Sequence, residues 1–100
     1  MNDQQPEIST TALGELCRKY RVRELALFGS ATRGELRADS DLDFLVEFEV
    51  QARVGFLALA GLSRELSLLM RRQVDLVPKA GLKAALRGQV LAESEVVYAA

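Results

Sequence analysis

Apolar and polar positions alternate along this chain with two different periods. Leu13, Leu16, Cys17 and Tyr20 fall at i, i+3, i+4 and i+7, and Ser9, Thr10 and Thr11 offer N-caps just before them. That spacing predicts a helix ending near Tyr20 with one apolar stripe. Glu24–Phe28 predicts a short strand that runs into Gly29-Ser30, and a turn of helix is expected from Ala31 to about Leu36, limited by Gly34. After the polar stretch Arg37–Ser40, the apolar run and alternation of Leu42–Val50 predict a second strand, closed by a turn over Gln51–Gly55. Phe56 to about Arg71 reads as the longest helix. Phe56, Leu59, Ala60, Leu62, Leu66, Leu69 and Met70 share the side of its wheel expected to face a sheet. Leu57 and Leu68 fall on the opposite side near Arg64, Arg71 and Arg72, a face expected to meet a partner chain. Val74–Val77 predicts a third strand stopped by Pro78. Gly81–Ser94 predicts a last helix with Leu82, Ala85, Leu86 and Val90 inward, followed by a short strand over Val96–Tyr98.

This order implies a small β-sheet backed by helices, an α/β (α+β) chain, with strand polarity left open. Residues 1–7 are polar, contain Pro6, and are expected to fray. With no repeat, low-complexity tract or linker, residues 1–100 are expected to form one domain.

Composition narrows the chemistry. Thirteen Lys and Arg against fourteen Asp and Glu leave a net charge of −1, which weakens the case for general nucleic-acid binding. No His is present, which excludes a serine triad, a His-ligated metal and an imidazole base. The single Cys, Cys17, excludes an intramolecular disulfide and a multi-cysteine zinc site, and core packing is its expected role. No apolar run approaches the roughly 20 residues of a membrane span. The polar, acidic start Met-Asn-Asp-Gln-Gln-Pro-Glu is unlike a signal peptide, so a cytoplasmic location is expected. Carboxylates remain as the agents of any catalysis.

The informative segment runs from Phe28 to Val46, FGSATRGELRADSDLDFLV. Gly29-Ser30 is followed, after ten intervening residues, by Asp41-Leu42-Asp43. On a strand Asp41 and Asp43 point the same way, roughly 6 to 7 Å apart. Converging carboxylates repel each other unless a cation lies between them, and paired divalent ions make such a site useful for phosphoryl chemistry. Oxygen ligands favour Mg2+, or Mn2+, over zinc. Asp75 lies in the otherwise apolar run Gln73–Val77, where an unpaired buried charge is costly, and can join the same cluster if its strand neighbours the second. The alternatives are an edge-strand position or pairing with Arg71 or Arg72. Gly29 permits close backbone approach, and Ser30 offers a hydroxyl and an N–H to phosphate, or a simple helix cap. Arg33 is placed to reach a triphosphate, or to pair with Glu35 or Asp39. Lys79 and Lys83 are expected to be solvated, and Tyr20 and Tyr98 to pack.

Gly29-Ser30-Ala31-Thr32-Arg33-Gly34 followed by Ser40-Asp41-Leu42-Asp43-Phe44-Leu45-Val46 resembles the minimal nucleotidyltransferases of the DNA polymerase beta-like superfamily. The resemblance covers essentially the whole chain. It implies a mixed-sheet α/β palm-like fold and metal-dependent transfer of a nucleoside monophosphate from ATP or another nucleoside triphosphate, with diphosphate released. It further implies that Asp41 and Asp43 hold the metals, that Asp75 completes the site and orients or deprotonates the attacking hydroxyl, and that Gly29 and Ser30 cradle the distal phosphates. Many such proteins are antitoxins paired with a HEPN-domain toxin, some adenylylating a toxin tyrosine, so a HEPN-domain partner is expected. The sequence shows no counterpart of the helical domain with which aminoglycoside nucleotidyltransferases hold their acceptor. The acceptor is therefore expected on another chain or a second copy, in a homo- or hetero-oligomer. Other readings are a binding module that neutralises its partner by occlusion, and a transferase acting on RNA or a small molecule.

Overall fold

The computed structural model describes residues 9–35, 37 and 40–100, except for the side chain of Ser30. The expected fraying of residues 1–7 lies outside the described residues, as do the expected end of the short helix at Leu36 and the alternative Arg33 partner Asp39.

Helix α1 (Thr10–Lys19) begins where Ser9 Oγ accepts from the Ala12 N–H at 3.4 Å, and Arg18 and Lys19 in its last turn complement the helix dipole. Leu13, Leu16 and Cys17 are buried as the stripe predicts, with Tyr20 half-buried at the cap. Burial pushes the Cys17 thiol up to about 11, so it stays protonated and unreactive inside the core. Arg21, at φ 58, reverses the chain into β1 (Val22–Phe28), which starts two residues earlier than the expected strand.

The turn after β1 is shorter than predicted. A single 3₁₀ turn spans Gly29–Ala31, with the N–H groups of Thr32 and Arg33 donating to Gly29 O at 3.1 and 3.3 Å. Gly34, at φ 72, adopts a left-handed conformation that a helix cannot continue through.

β2 (Leu42–Phe48) ends before Val50, which is 87% exposed in the following turn. α2 (Phe56–Met70) then crosses over to β3 (Val74–Pro78), which stops at Pro78 as expected, with Pro78 itself pairing with Val46 as the last residue of the strand. A 3₁₀ turn over Lys79–Gly81 leads to α3 (Ala84–Glu93) and β4 (Glu95–Ala99).

The sheet order is β3-β2-β1-β4. β1 is antiparallel to both β2 and β4, while β2 and β3 run parallel, as the α2 crossover requires. The sheet is therefore mixed, which settles the polarity that periodicity had left open. β1 and β2 alternate so that Leu25, Leu27, Leu42, Phe44 and Val46 face one side. There they form the buried core with Leu13, Cys17, Leu62, Leu66 and Val74. α1 and α2 are tied to each other by Glu65, which accepts from the Tyr20 hydroxyl and from Lys19 Nζ at 3.0 Å. The Tyr20 hydroxyl lies so close to Gly61 that a Cβ there would stand 2.9 Å away. No helix among the described residues is long and apolar enough to cross a membrane.

Two inward-facing expectations fail. On α2, Leu62 and Leu66 are buried and Leu59, Leu69 and Met70 partly so, but Phe56 is 82% exposed and Ala60 is exposed. A helical wheel gives the direction of a side chain but not how far along the axis the sheet reaches. On α3 no residue is buried: Ala85 and Leu86 are exposed, and Leu82 and Val90 are only half-buried. The 3₁₀ turn takes up Gly81, so Leu82 precedes the helix and the inferred stripe loses its first member.

Phe44 is the largest of the fully buried side chains. Phe44→Ala is expected to lower unfolding stability by about 3–5 kcal/mol, read from the denaturant midpoint, because both transfer energy and a cavity are involved.

Candidate active site

The face of β2 turned away from the core carries Asp43, Leu45 and Glu47. Asp43 and Asp75 are register partners across the parallel β2–β3 pair, so their side chains leave the sheet side by side on one face. On the other flank Phe28 of β1 pairs with Asp43, and the chain turns at once into Gly29. Gly29 takes φ 78, and a Cβ built there would overlap Asp43 Oδ2 and stand 3.2 Å from its Cγ. The carboxylate is thus pressed against the backbone of the Gly-Ser turn. Only glycine satisfies both the conformation and the space.

Asp43 is half-buried, whereas Asp41 and Asp75 are exposed. Desolvation, then the charges of Asp75 and Asp41, push the Asp43 carboxyl above its usual range, with Arg33 opposing. Asp75 is thus in register with Asp43, and the charges of both Asp75 and Asp41 bear on it. Two details differ from expectation. Asp41 lies just before β2 rather than on it, and Asp75 is not a buried charge, because β3 is an edge strand open on this side.

Among the described residues, no ion pair involves Asp41, Asp43 or Asp75. The alternative pairing of Asp75 with Arg72 is not formed: Arg72 donates instead to main-chain carbonyls at Arg37 and Ser40. Arg33 makes the expected pair with Glu35, at 2.9 Å, and a looser one with Glu93 of α3 at 3.7 Å. Glu35's hydrogen bond and charge, helped by Glu93 and Asp43, hold the guanidinium firmly protonated beside the cluster. Lys79 pairs with Glu47 at 3.7 Å. Sequence reasoning missed Glu93 and the contacts of Arg72, since neither carries a local spacing signal. The Ser30 side chain lies outside the described residues.

The donor set suits a hard divalent cation: carboxylate oxygens that repel one another, with no side-chain cation seated among them in the described residues. No three acids there close into a ready-made cage.

The Nucleotidyltransferase domain family profile matches residues 10–97. This chain belongs to the nucleotidyltransferase-domain family. The nucleotidyltransferase is 41% identical over 92 residues to the protein adenylyltransferase MntA of Thermococcus cleftensis, covering 91% of this chain and 88% of that one. It also superposes on a solved candidate minimal nucleotidyltransferase with a TM-score of 0.73 and 41% identity, covering 86% of each chain. A chain of a toxin–antitoxin complex crystallised with AMP-PNP shares the fold at a TM-score of 0.74 and 22% identity, over 93% of this nucleotidyltransferase and 75% of that chain. The fold expected from the resemblance is the fold found.

Proposed function

We propose that this nucleotidyltransferase acts in the cytoplasm as a single catalytic domain that moves AMP from ATP to a hydroxyl of a partner protein. We assign the partner as a HEPN-domain toxin that this modification silences. The observation that carries the proposal is the register pairing of Asp43 with Asp75 beside the Gly29 turn. It joins two acids from separate strands to a backbone turn suited to phosphate. Relatives named protein adenylyltransferases support AMP as the group and protein as the acceptor.

Asp41 and Asp43, with Asp75, would hold Mg2+, or Mn2+ in its place. Bound there, the metal supplies Lewis-acid stabilisation of the charge that develops on the phosphates. Gly29 leaves its backbone open to the distal phosphates, Ser30 supplies a hydroxyl and an N–H, and Arg33 brings a positive charge from the next turn. Asp75, exposed at the β3 edge, takes the proton from the acceptor hydroxyl. The oxygen then attacks the α-phosphorus, an O–P bond forms, and the bond to the leaving diphosphate breaks.

The test incubates the protein with ATP, Mg2+ and the product of the adjacent gene, then weighs both chains by mass spectrometry. The expected result is one or more AMP additions on the partner. A partner of unchanged mass that is nevertheless neutralised would replace the proposal with occlusion.

A further inference from the structure

Asp41 poses a structural problem. It precedes β2, is exposed, and has no ladder bond of its own to fix it, yet a metal ligand must be held still. Its flanking residues are held from outside. Arg72 Nη1 donates to Arg37 O at 2.9 Å and to Ser40 O at 3.4 Å. The Leu42 N–H donates to Gln73 O at 2.9 Å. Ser40 closes on Arg37 as well: its N–H donates to Arg37 O at 3.1 Å and its Oγ accepts from the Arg37 N–H at 2.9 Å.

Arg72 is itself fixed. Arg71 ends α2 in the left-handed region at φ 55, and the N–H groups of Arg71 and Arg72 both donate to Ser67 O. Ser67 Oγ accepts from the Val74 N–H at 3.1 Å, which joins the same helix end to the start of β3. The residues on both sides of Asp41 are thereby fastened to the segment that leads into Asp75.

We infer that Arg72 is a positioning residue for the metal site, setting Asp41 against Asp43 and Asp75 through the carbonyls of Arg37 and Ser40. This rests on the metal role proposed above for the three aspartates. One nitrogen, Nη1, reaches both carbonyls through its two N–H groups.

The test compares Arg72→Gln with the wild type by Mn2+ binding, read from the free-ion EPR signal in the presence of α,β-methylene-ATP. Amide hydrogen exchange at Ser40 and Leu42 is followed in the protein alone. Loss of an outer partner should weaken Mn2+ binding roughly 10-fold or more. Exchange at Ser40 and Leu42 should quicken while the amides of α1 and β1 keep their protection. In turnover, activity lost at low Mg2+ should return as Mg2+ is raised. Unchanged Mn2+ binding, or faster exchange spread evenly over the whole chain, overturns the assignment. Asp43→Asn separates the two layers. If it loses Mn2+ while Arg72→Gln keeps it, only the role of Arg72 falls; if it binds Mn2+ as the wild type does, the metal reading falls and takes Arg72 with it.

Discussion

Asp43→Asn is expected to abolish AMP transfer and, at the same time, to raise the stability of the metal-free protein. The two effects share one cause. The Asp43 carboxyl is lifted above its usual range by desolvation and by the charges of Asp75 and Asp41. Above that raised pKa the folded state holds an unfavourable charge that the unfolded chain would carry at no such cost. The penalty is therefore full above that raised value and disappears as pH falls through it. Asparagine removes it at all pH values, so Tm of the metal-free protein should rise by a few degrees at pH 7, with little difference between variant and wild type in acid. Catalysis moves the other way. With the proposed metal role, losing a ligand of the cation that would neutralise phosphate charge is expected to remove several kcal/mol of transition-state stabilisation, about 1,000-fold or more in rate. If Asp43 holds the metal as proposed, protons would compete with it there, and metal affinity should decline with falling pH earlier than an ordinary carboxylate would dictate. A transfer rate within tenfold of wild type would remove Asp43 from the metal role.

Gly29→Ala should be nearly as damaging, although it adds only a methyl group. Gly29 sits at φ 78, and forcing an L side chain there costs about 1–2 kcal/mol. The new Cβ would also occupy the space of Asp43 Oδ2. Either the carboxylate leaves its place beside Asp75 or the Gly-Ser turn backs away from β2. A displacement of about 1 Å at a reacting centre is enough for a hundredfold loss. The expected outcome is a transfer rate down about 100-fold or more, with unfolding stability reduced by about 1–3 kcal/mol. Single-turnover kinetics and denaturant unfolding measure the two parts. Full activity in Gly29→Ala would mean that the turn does not bear on the acid pair.

The acid site was legible because its signals are local or simply spaced. Gly29-Ser30 and Asp41-x-Asp43 lie within one hairpin, and an acid in the middle of Val74–Val77 stands out against its neighbours. What the residues alone could not supply was the neighbour relation between β2 and β3, which depends on how the α2 crossover packs. The polymerase-like resemblance implied that Asp75 completes the site; the structure adds that β2 and β3 are parallel neighbours with Asp43 and Asp75 in register. Burial on α3 was misjudged because apolar spacing marks a face without saying whether anything packs on it. The short helix after Ser30 was overextended because Gly34 takes a left-handed φ, a conformation glycine permits but does not announce. The contacts of Arg72 were out of reach for a different reason. They go to main-chain carbonyls, which every residue type offers and no sequence pattern marks.

Because Asp43 and Asp75 stand on parallel strands, they meet only after α2 has carried the chain across the sheet and docked. A nascent polypeptide that has left the ribosome as far as β2 holds the glycine turn and two of the acids but not the third. If the third acid has the role proposed for it, half-made or clipped copies are expected to be catalytically silent. On the proposed reading, AMP transfer requires the finished molecule, and a transfer assay would double as a count of properly closed ones.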